Sequence, residues 1–554
     1  MDFGIFCRNI LVITVYLTST IIQIFGIKYE ALFSGTADIG VARLPGDLYW
    51  RSPDGESRAY AFYGIKYGNS KRFEGSWLNT DFSYLSTPDR SKFGPHCMQH
   101  LPPSQNNFFP NLFTQGQPKG HRAAGHHNLL ATEAANTDMN EDCLYLDVYI
   151  PAMQREQKIS PTQRKPVMVF VHGSHAGNKM PGIGTDFSRI HNIIVVSVQY
   201  RLGIFGFLST EDVNARGNYG LGDVRTAVQW VRQYIFAFGG NPEKITVVGH
   251  GTGAVLVSAM MLDPEIRSII SAAICMSGSV LSPSAITRAA RMNAASVANA
   301  LRCPSSTTTE MVLCYKIASA TDIITAVTAA FPSISIHSPV KERFSLNIDG
   351  HHIPYKPEWV LQSQSWHFRG GFLNGFLAED ASLSVLNQWP EVFSQGNPTL
   401  ENVKAIYIPY LLRSVVACSL PPLSIVEAVY NRYGFGSTAD PKSLRKNLIN
   451  LANDIGWRIP AVKEAIVYAE KNLTELGNQV YKMSFNDHIG QYAFGLQDLG
   501  MFHGLDTQYL FAASGTSNLL GNRTNERVTR QLRLLWTYVA SYSSKLSVSG
   551  HELV

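Results

Sequence analysis

The sequence predicts an α/β fold with a large, mostly parallel central sheet that is flanked by helices. Short β-branched runs alternate with amphipathic segments of helical spacing through the middle of the chain. The chain has 554 residues, of which 45% are hydrophobic and only 16% are charged, so it can bury a large core. Large α/β folds of this length often form one unit, which favours a single domain over a string of small ones.

The predicted elements follow one another in chain order. Apolar runs at 167–171 and 193–198 predict buried strands, and Val, Trp and Ile at helical spacing predict a helix over 222–236. A strand at 245–248 leads through a glycine-rich turn into a helix from about 254 to 262. The remaining predicted elements are strands near 272–276, 372–377 and 479–485 and a helix at 525–542.

Segment 1–26 has the pattern of a secretory signal peptide or a signal anchor. Arg8 precedes the apolar run 10–17, which is the order of charged and hydrophobic regions in such signals. A cleaved signal is favoured, and an uncleaved anchor is the alternative, with 27–554 as the single folded domain. The expected location is therefore outside the cell, either secreted or held at the cell surface by the N-terminal anchor.

The cysteine content fits an oxidising compartment. The chain has seven cysteines, one of them in the signal segment. Cys303 and Cys314 could close a short loop, and Cys97 and Cys143 a long one. Cys275 lies in an apolar run, where a buried thiol is expected.

Surface chemistry narrows the classes of partner. The formal net charge is +5 and no run of five like charges occurs, so neither nucleic acid nor an anionic surface is an expected partner. The histidines at 121, 126 and 127 lack further metal-ligand spacing, so no metal or cofactor is expected. Asn472 and Asn522 begin N-x-T sequons, which predict a glycoprotein.

Residues 245–254, ITVVGHGTGA, have the strand–turn–helix pattern of a nucleophile elbow. In α/β-hydrolases this turn carries G-x-S-x-G, with the attacking serine at its apex. Here Gly251 stands in the serine position, and the side chain of Thr252 is expected to point into the following helix. The sequence keeps the elbow of an α/β-hydrolase and lacks its hydroxyl.

Several blocks resemble the carboxylesterase/cholinesterase family, in family order from about residue 40 to 540. They are FYGIKY at 62–67, EDCLYLDVYIP at 141–151, YRLGIFGFLS at 200–209, GNYGL at 217–221 and AFGGNP at 237–242. The resemblance implies an α/β-hydrolase fold with disulfide bonds Cys97–Cys143 and Cys303–Cys314, and it leaves Cys418 unpaired.

The resemblance also implies where a catalytic triad would lie. The block FLAEDAS at 376–382 puts Asp380 at the position of the carboxylate, with Glu379 as a weaker candidate. The block MFHG at 501–504 puts His503 at the position of the general base.

The oxyanion hole implied by the resemblance is altered as well. The run HGSH at 172–175 matches H-G-G-G, so Ser174 and His175 replace glycines whose N–H groups would bind an oxyanion. Thr252 supplies the third such position, and His250 replaces a glutamate. Loss of the nucleophile alone costs about 10⁶ in turnover in a comparable hydrolase. We therefore expect hydrolysis close to background.

These substitutions predict a pseudo-esterase: a catalytically inactive, cholinesterase-like extracellular protein that acts in cell adhesion or signalling by binding a partner protein. The chain resembles the non-catalytic group that contains neuroligins, gliotactin, glutactin and neurotactin. A homodimer is an expected assembly, to which helix 525–542 could contribute. Two alternatives stay open: a carboxylic ester hydrolase with an unrecognised nucleophile, and a carrier of a hydrophobic small molecule in the vestigial gorge.

Overall fold

The computed structural model describes residues 35–38, 43–51, 58–82, 93–99, 139–151, 164–173, 184–331, 343–368, 370–394, 396–416, 420–472, 480–485, 499–511 and 523–542. The strands are β1 Gly35–Asp38, β2 Arg43–Arg51, β3 Arg58–Lys66, β4 Gly68–Asn69, β5 Trp77–Leu78, β6 His96–Cys97, β7 Met139–Asn140, β8 Tyr145–Pro151, β9 Lys165–Val171, β10 Ile194–Val198, β11 Gly240–His250, β12 Ala272–Met276, β13 Gly371–Leu377 and β14 Val480–Phe485.

Within the described residues, ten strands form one sheet in the order β1-β2-β3-β8-β10-β9-β11-β12-β13-β14. The neighbours from β10 through β9, β11, β12 and β13 to β14 pair in parallel, and those from β1 to β10 pair antiparallel. The predicted α/β class with a mostly parallel sheet is confirmed, and each predicted strand overlaps an observed one.

The helices connect these strands and cover both faces of the sheet. They are α1 Thr185–His191, α2 Gly203–Phe207, α3 Tyr219–Tyr234, α4 Thr252–Met260, α5 Pro264–Ile269, α6 Ala290–Ala300, α7 Thr308–Ile317, α8 Ala320–Ala330, α9 Pro357–Gln362, α10 Ser382–Gln388, α11 Leu400–Asn402, α12 Ile408–Leu412, α13 Leu423–Arg432, α14 Pro441–Asn453, α15 Ile459–Asn472, α16 Leu505–Phe511 and α17 Arg523–Tyr542. The 3₁₀ segments are Ile235–Phe238, Pro390–Phe393 and Phe435–Ser437, and the π segments are Val403–Tyr407 and Asp454–Arg458.

Strand β9 shows how the sequence builds a core on each face. Successive side chains of a strand point to opposite faces. Val167, Val169 and Val171 enter the core with α3 and α4, whereas Met168 and Phe170 enter the core with α1, α16 and α17. Because both faces are buried, the strand is a continuous apolar run rather than an alternating one.

Both predicted disulfide bonds, Cys97–Cys143 and Cys303–Cys314, are present. Cys275 is a buried free thiol in β12, as expected. Among the described residues, no helix is long and apolar enough to cross a membrane. Asn472 ends α15. The remaining predictions for the signal segment 1–26, the oxyanion positions Ser174 and His175, Cys418 and Asn522 lie outside the described residues.

Candidate active site

The topology brings the predicted triad positions to one edge of the sheet. Strands β11, β12 and β13 are parallel neighbours, so their carboxyl ends lie side by side. Gly251 follows β11 directly, and Asp380 follows β13 in the turn before α10. His503 lies in the loop that enters α16, which packs against the same face of the sheet as α17.

Asp380 and His503 form a buried histidine–carboxylate pair. His503 Nδ1 lies 3.0 Å from Asp380 Oδ1. The other carboxylate oxygen, Oδ2, accepts hydrogen bonds from Ser277 Oγ at 2.9 Å and from the backbone N–H of Leu377 at 2.7 Å. Asp380 is fully buried, and these donors fix its orientation. The other ring nitrogen of His503, Nε2, lies close to Gly251 at the elbow.

Glu379, the weaker candidate for the carboxylate, has a different partner. Its Oε2 accepts the backbone N–H of Met501 at 2.9 Å. This bond ties the turn after β13 to the segment that carries His503. The structure therefore brings Asp380, and not Glu379, to the imidazole at the predicted site.

Gly251 adopts the backbone of an elbow and offers His503 no side chain. Its φ of 57° and ψ of −122° lie where L-residues other than glycine are strained. A β-carbon built on Gly251 would lie 2.8 Å from His503 Nε2, closer than normal contact allows. The imidazole of His503 therefore lies directly beside Gly251. The ring would have to move to make room for a serine side chain at this position.

A second histidine–carboxylate pair lies beside the first. His250 Nε2 is 3.0 Å from Asp506 Oδ1, and both residues are buried. The contact brings the imidazole and the carboxylate within the distance of an ion pair. The ring centroids of His250 and His503 are 4.8 Å apart. Four titratable side chains thus meet around the elbow.

Charge decides the protonation of this second pair. Burial alone would lower the pKa of His250, but the negative charges of Asp506 and Asp380 outweigh it and raise that pKa above its usual value. Burial would raise the pKa of Asp506, but His250 and His503 outweigh it and hold that pKa below its usual value. Both shifts favour the charged forms of the two side chains in the folded protein.

The oxyanion region is described only in part. Gly173 is half-buried, and a β-carbon built there would lie 3.9 Å from the backbone nitrogen of Thr252 and 3.2 Å from the carbonyl oxygen of His250. Gly173 and Thr252 therefore converge at the elbow. His172 precedes them, with its carbonyl held by the hydroxyl of Tyr200 at 2.7 Å, and burial lowers the pKa of its imidazole.

Comparison with known proteins places this architecture. Residues 40–550 match the sequence profile described as the Carboxylesterase family. The chain belongs to the carboxylesterase family. It is 29% identical to Carboxylesterase 1C of Rattus norvegicus over 355 aligned residues. The alignment covers 64% of this chain and 60% of that relative. It is 28% identical to Pyrethroid hydrolase Ces2a of Mus musculus over 329 aligned residues, and this alignment covers 59% of this chain and 55% of that relative.

Carboxylesterase 3 of Homo sapiens is similar to the same degree, with 28% identity over 360 residues that cover 64% of this chain and 58% of the relative. The chain thus matches less than two thirds of the length of each of these carboxylesterase-family relatives.

Three residues at this carboxylesterase-family site are missing from the sequence-based prediction. Ser277 supports Asp380, Asp506 pairs with His250, and the ring of Trp457 lies 5.8 Å from that of His503. Asp506 lies three residues after His503 in the first turn of α16, and Ser277 directly follows β12. The sequence could have indicated Ser277 and Asp506, because each lies at the end of a strand or helix next to a predicted site position.

The site can position a proton but offers no attacking group at the apex. His503 Nε2 could accept a proton, and Asp380 orients the ring for that task. Gly251 supplies no hydroxyl to donate one. Among the described residues, no cluster of three or more His, Cys, Asp or Glu side chains could hold a metal ion.

Proposed function

We propose that this chain is a non-catalytic member of the carboxylesterase family that acts outside the cell by binding a partner protein. The observation that carries the proposal is Gly251 at the apex of the elbow, facing a histidine that keeps its carboxylate. Covalent ester hydrolysis needs a hydroxyl or thiol at that point. The described sheet, elbow and Asp380–His503 pair are retained, as expected of a protein selected for its surface rather than its turnover.

Neighbouring side chains offer no substitute nucleophile within the described site. The hydroxyl of Ser277 donates to Asp380 Oδ2, whereas His503 contacts Oδ1. Cys275 is buried in β12, and burial raises the pKa of its thiol well above the usual value. Thr252 opens α4, one residue beyond the apex, and stays structural in this proposal.

The disulfide bonds support an extracellular location. The two disulfide bonds close loops in separate parts of the fold, and such bonds persist in oxidising compartments. The partner-binding role rests on the loss of chemistry together with exposed apolar side chains, which include Leu313, Ile317 and Leu420. Family membership alone does not assign that role.

One observation favours a second candidate, an esterase that uses an unrecognised nucleophile. The Asp380–His503 pair keeps the geometry that a general base needs, with Nδ1 held at 3.0 Å. Under the main proposal, this pair persists because Asp380 also bonds to Ser277 and Leu377 and so stabilises the turn.

Labelling with a fluorophosphonate probe separates the two candidates. The probe forms a covalent bond with an activated nucleophile, and mass spectrometry locates it. We expect no labelled peptide from the parent protein. A label that disappears in His503→Ala would establish the esterase instead.

Cell-surface staining tests the partner-binding part of the proposal. A fluorescent tetramer of the purified chain is applied to a panel of intact cell types. We expect saturable staining of at least one type, competed by unlabelled protein. Staining of none would remove the support for a binding role.

A further inference from the structure

A small pocket lies beside the hairpin of β4 and β5, and none of the residues at the elbow lines it. Its volume among the described residues is about 270 Å³. The segment that precedes β8 forms another part of its wall. This volume is below the range of pockets that hold drug-sized molecules, so the pocket suits a ligand of about one ring. The charged side chains of its lining are Lys66, Lys71, Arg72, Glu141, Asp142 and Arg201.

Both carboxylates of the lining are paired with a cation of the lining. Lys66 Nζ lies 2.7 Å from Asp142 Oδ1. The guanidinium of Arg72 donates two hydrogen bonds to the carboxylate of Glu141. These two pairs carry no net charge, so they favour neither an anion nor a cation as the ligand.

The two remaining cations of the lining leave the pocket close to neutral. Arg201 pairs with Asp223, a fully buried carboxylate that does not line the pocket, at 2.8 Å between Nε and Oδ2. Lys71 is exposed to solvent, where water screens its charge. The charge of the pocket therefore fits a neutral polar ligand better than a strongly charged one.

Trp77 gives the pocket an exposed aromatic side chain. Although tryptophan is usually well buried, 50% of the surface of Trp77 is exposed. Asn69 is its direct partner across the antiparallel pair of β4 and β5, so the two side chains lie on the same face of the hairpin. Both side chains line the pocket. An aromatic ring thus lies beside an amide at its edge.

Asn69 and Asp142 can hydrogen-bond to the hydroxyls of a ligand. Asn69 Nδ2 donates to Asn79 Oδ1 at 3.0 Å, which orients the amide and its carbonyl oxygen. The side chain of Asp142 is 56% exposed, and a carboxylate has about four acceptor sites. Its contacts with Lys66 and Tyr145 number three, so it keeps capacity for a further donor.

Covalent and hydrogen bonds hold the wall of the pocket in place. The disulfide bond Cys97–Cys143 anchors the residue after Asp142. The backbone N–H of Asp142 donates to Asn140 Oδ1 at 2.9 Å, which fixes the turn before β8. A pocket that is preformed in this way loses little conformational entropy when a ligand binds.

We propose that this pocket binds one neutral sugar ring of a glycan on the partner protein, with a face of the ring on the indole of Trp77 and its hydroxyls bonded to Asn69 and Asp142. The inference rests on the proposed partner-binding function and names the chemistry of the partner.

A sugar ring meets each requirement of the pocket. Its hydroxyls both donate and accept hydrogen bonds, which suits a lining of amide, hydroxyl and paired charges. The C–H groups on its face can pack against the negatively polarised face of an aromatic ring. An apolar ligand of the same size would remove water from Asn69 and Asp142 without replacing its hydrogen bonds.

A glycan array probed with a tetramer of the full protein tests the inference, because avidity makes weak single-site binding measurable. We expect the bound glycans to share one neutral sugar. The free methyl glycoside of that sugar should compete, since the pocket holds one ring. No bound glycan, binding that requires sulfated or sialylated glycans, or binding that the methyl glycoside does not compete would each overturn the inference.

Variants at Trp77 test whether the aromatic face is responsible. Trp77→Leu keeps an apolar side chain without the ring, and we expect affinity for the selected glycan to fall by about 10-fold or more. Trp77→Phe keeps a ring and should stay within about 3-fold of the parent. Trp359→Leu is the matched control, since Trp359 is 61% exposed but does not line the pocket. Parent-like affinity in Trp77→Leu would contradict the proposal.

Asp142→Ala tests the polar side of the pocket. We expect affinity to fall by about 10-fold while the Tm stays near that of the parent, because an exposed ion pair contributes little to stability. Binding lost without loss of stability is not explained by misfolding. Parent-like affinity in this variant would show that the carboxylate does not contact the sugar.

Cell staining keeps this inference distinct from the proposed function. If the parent tetramer and Trp77→Leu stain cells equally, the pocket is not the binding surface and partner binding stands. If no cell is stained, the proposed function fails, and the array decides alone whether the pocket binds a sugar.

Discussion

Gly251 keeps a backbone that glycine alone occupies without strain. The elbow turns the chain sharply from β11 into α4, with φ of 57° at the apex. In a hydrolase the serine bears the strain of that turn in return for exposure of its hydroxyl. Here Gly251 carries no hydroxyl, and it adopts the turn without the strain that any other residue would bear.

Gly251→Ser should therefore destabilise the protein. We expect the free energy of unfolding to fall by about 1–3 kcal/mol, because a β-carbon at this φ is strained, and His503 Nε2 would have to move away from it. Urea unfolding followed by circular dichroism measures the change. Gly251→Ala is the matched control and should lose a similar amount, since the cost comes from the β-carbon. Serine and alanine variants as stable as the parent would show that the turn relaxes freely.

Glu464 is a buried acid that the candidate site does not use. It lies in α15, where Ser258 Oγ donates to its Oε1 at 2.5 Å and Asn374 Nδ2 donates to its Oε2 at 3.4 Å. Burial raises the pKa of Glu464 to about 7, although hydroxyl donors from Ser258 and Ser279 oppose the shift. The folded protein thus holds a proton here that the unfolded chain releases near pH 4.5.

This proton makes stability depend on pH. Since the folded pKa is the higher one, the carboxyl favours folding least at high pH, and stability falls as pH rises from about 4.5 to 7. Glu464→Gln removes the titration. Between pH 5 and pH 8 the variant should gain about 2–3 kcal/mol relative to the parent. Urea unfolding at the two pH values measures this gain, and an unchanged difference would contradict the buried protonated state.

At the scale of elements, the ion pair between His250 and Asp506 connects the end of β11 to the first turn of α16. The pair lies beside Asp380 and His503, so the two histidine–carboxylate contacts together fasten strand, turn and helix at one edge of the sheet. A charged pair in a buried position stabilises only while both members are present.

Asp506→Asn should destabilise the protein most at mildly acidic pH. His250 has a raised pKa, so its stabilisation is present below about pH 6.5 and is lost as pH rises through the folded value. The stabilisation from Asp506, whose pKa is lowered, is present above about pH 3.8 and is lost as pH falls through the folded value.

Both contributions are complete near pH 6, where Asp506→Asn should cost about 3 kcal/mol, with a smaller cost at pH 9. Urea unfolding at both pH values gives the comparison. The double variant His250→Gln/Asp506→Asn is the control and should recover part of the loss, since no charge remains buried without a partner. An equal loss at both pH values would argue against a protonated His250.

At the scale of the whole molecule, the sequence predicted the fold class and strands β9 to β14, because each of these strands is a short apolar or β-branched run; strands β1, β2, β3 and β8 were not predicted. The run at 272–276 coincides with β12, and the elbow pattern locates the end of β11. The positions of Asp380 and His503 followed from motif resemblance, and the structure places their side chains in contact.

The contacts that sequence alone did not reveal are those made between distant segments. His250 and Asp506 meet only because β11 and α16 pack at the same sheet edge. No local sequence pattern predicts a contact between residues so far apart in the chain. The exposed, left-handed Arg302 is likewise invisible without a backbone, because the residue type itself favours an ordinary helix. Such features depend on tertiary structure and on dihedral angles.

Hydrolysis of 4-nitrophenyl butyrate by the parent protein and by His503→Ala tests the central claim most directly. If the elbow is structural and no residue attacks the ester, both proteins release nitrophenolate at the same rate, equal to that of a protein of matched concentration without a hydrolase site. A parent rate well above this background that His503→Ala abolishes, with its circular dichroism unchanged, would contradict the account.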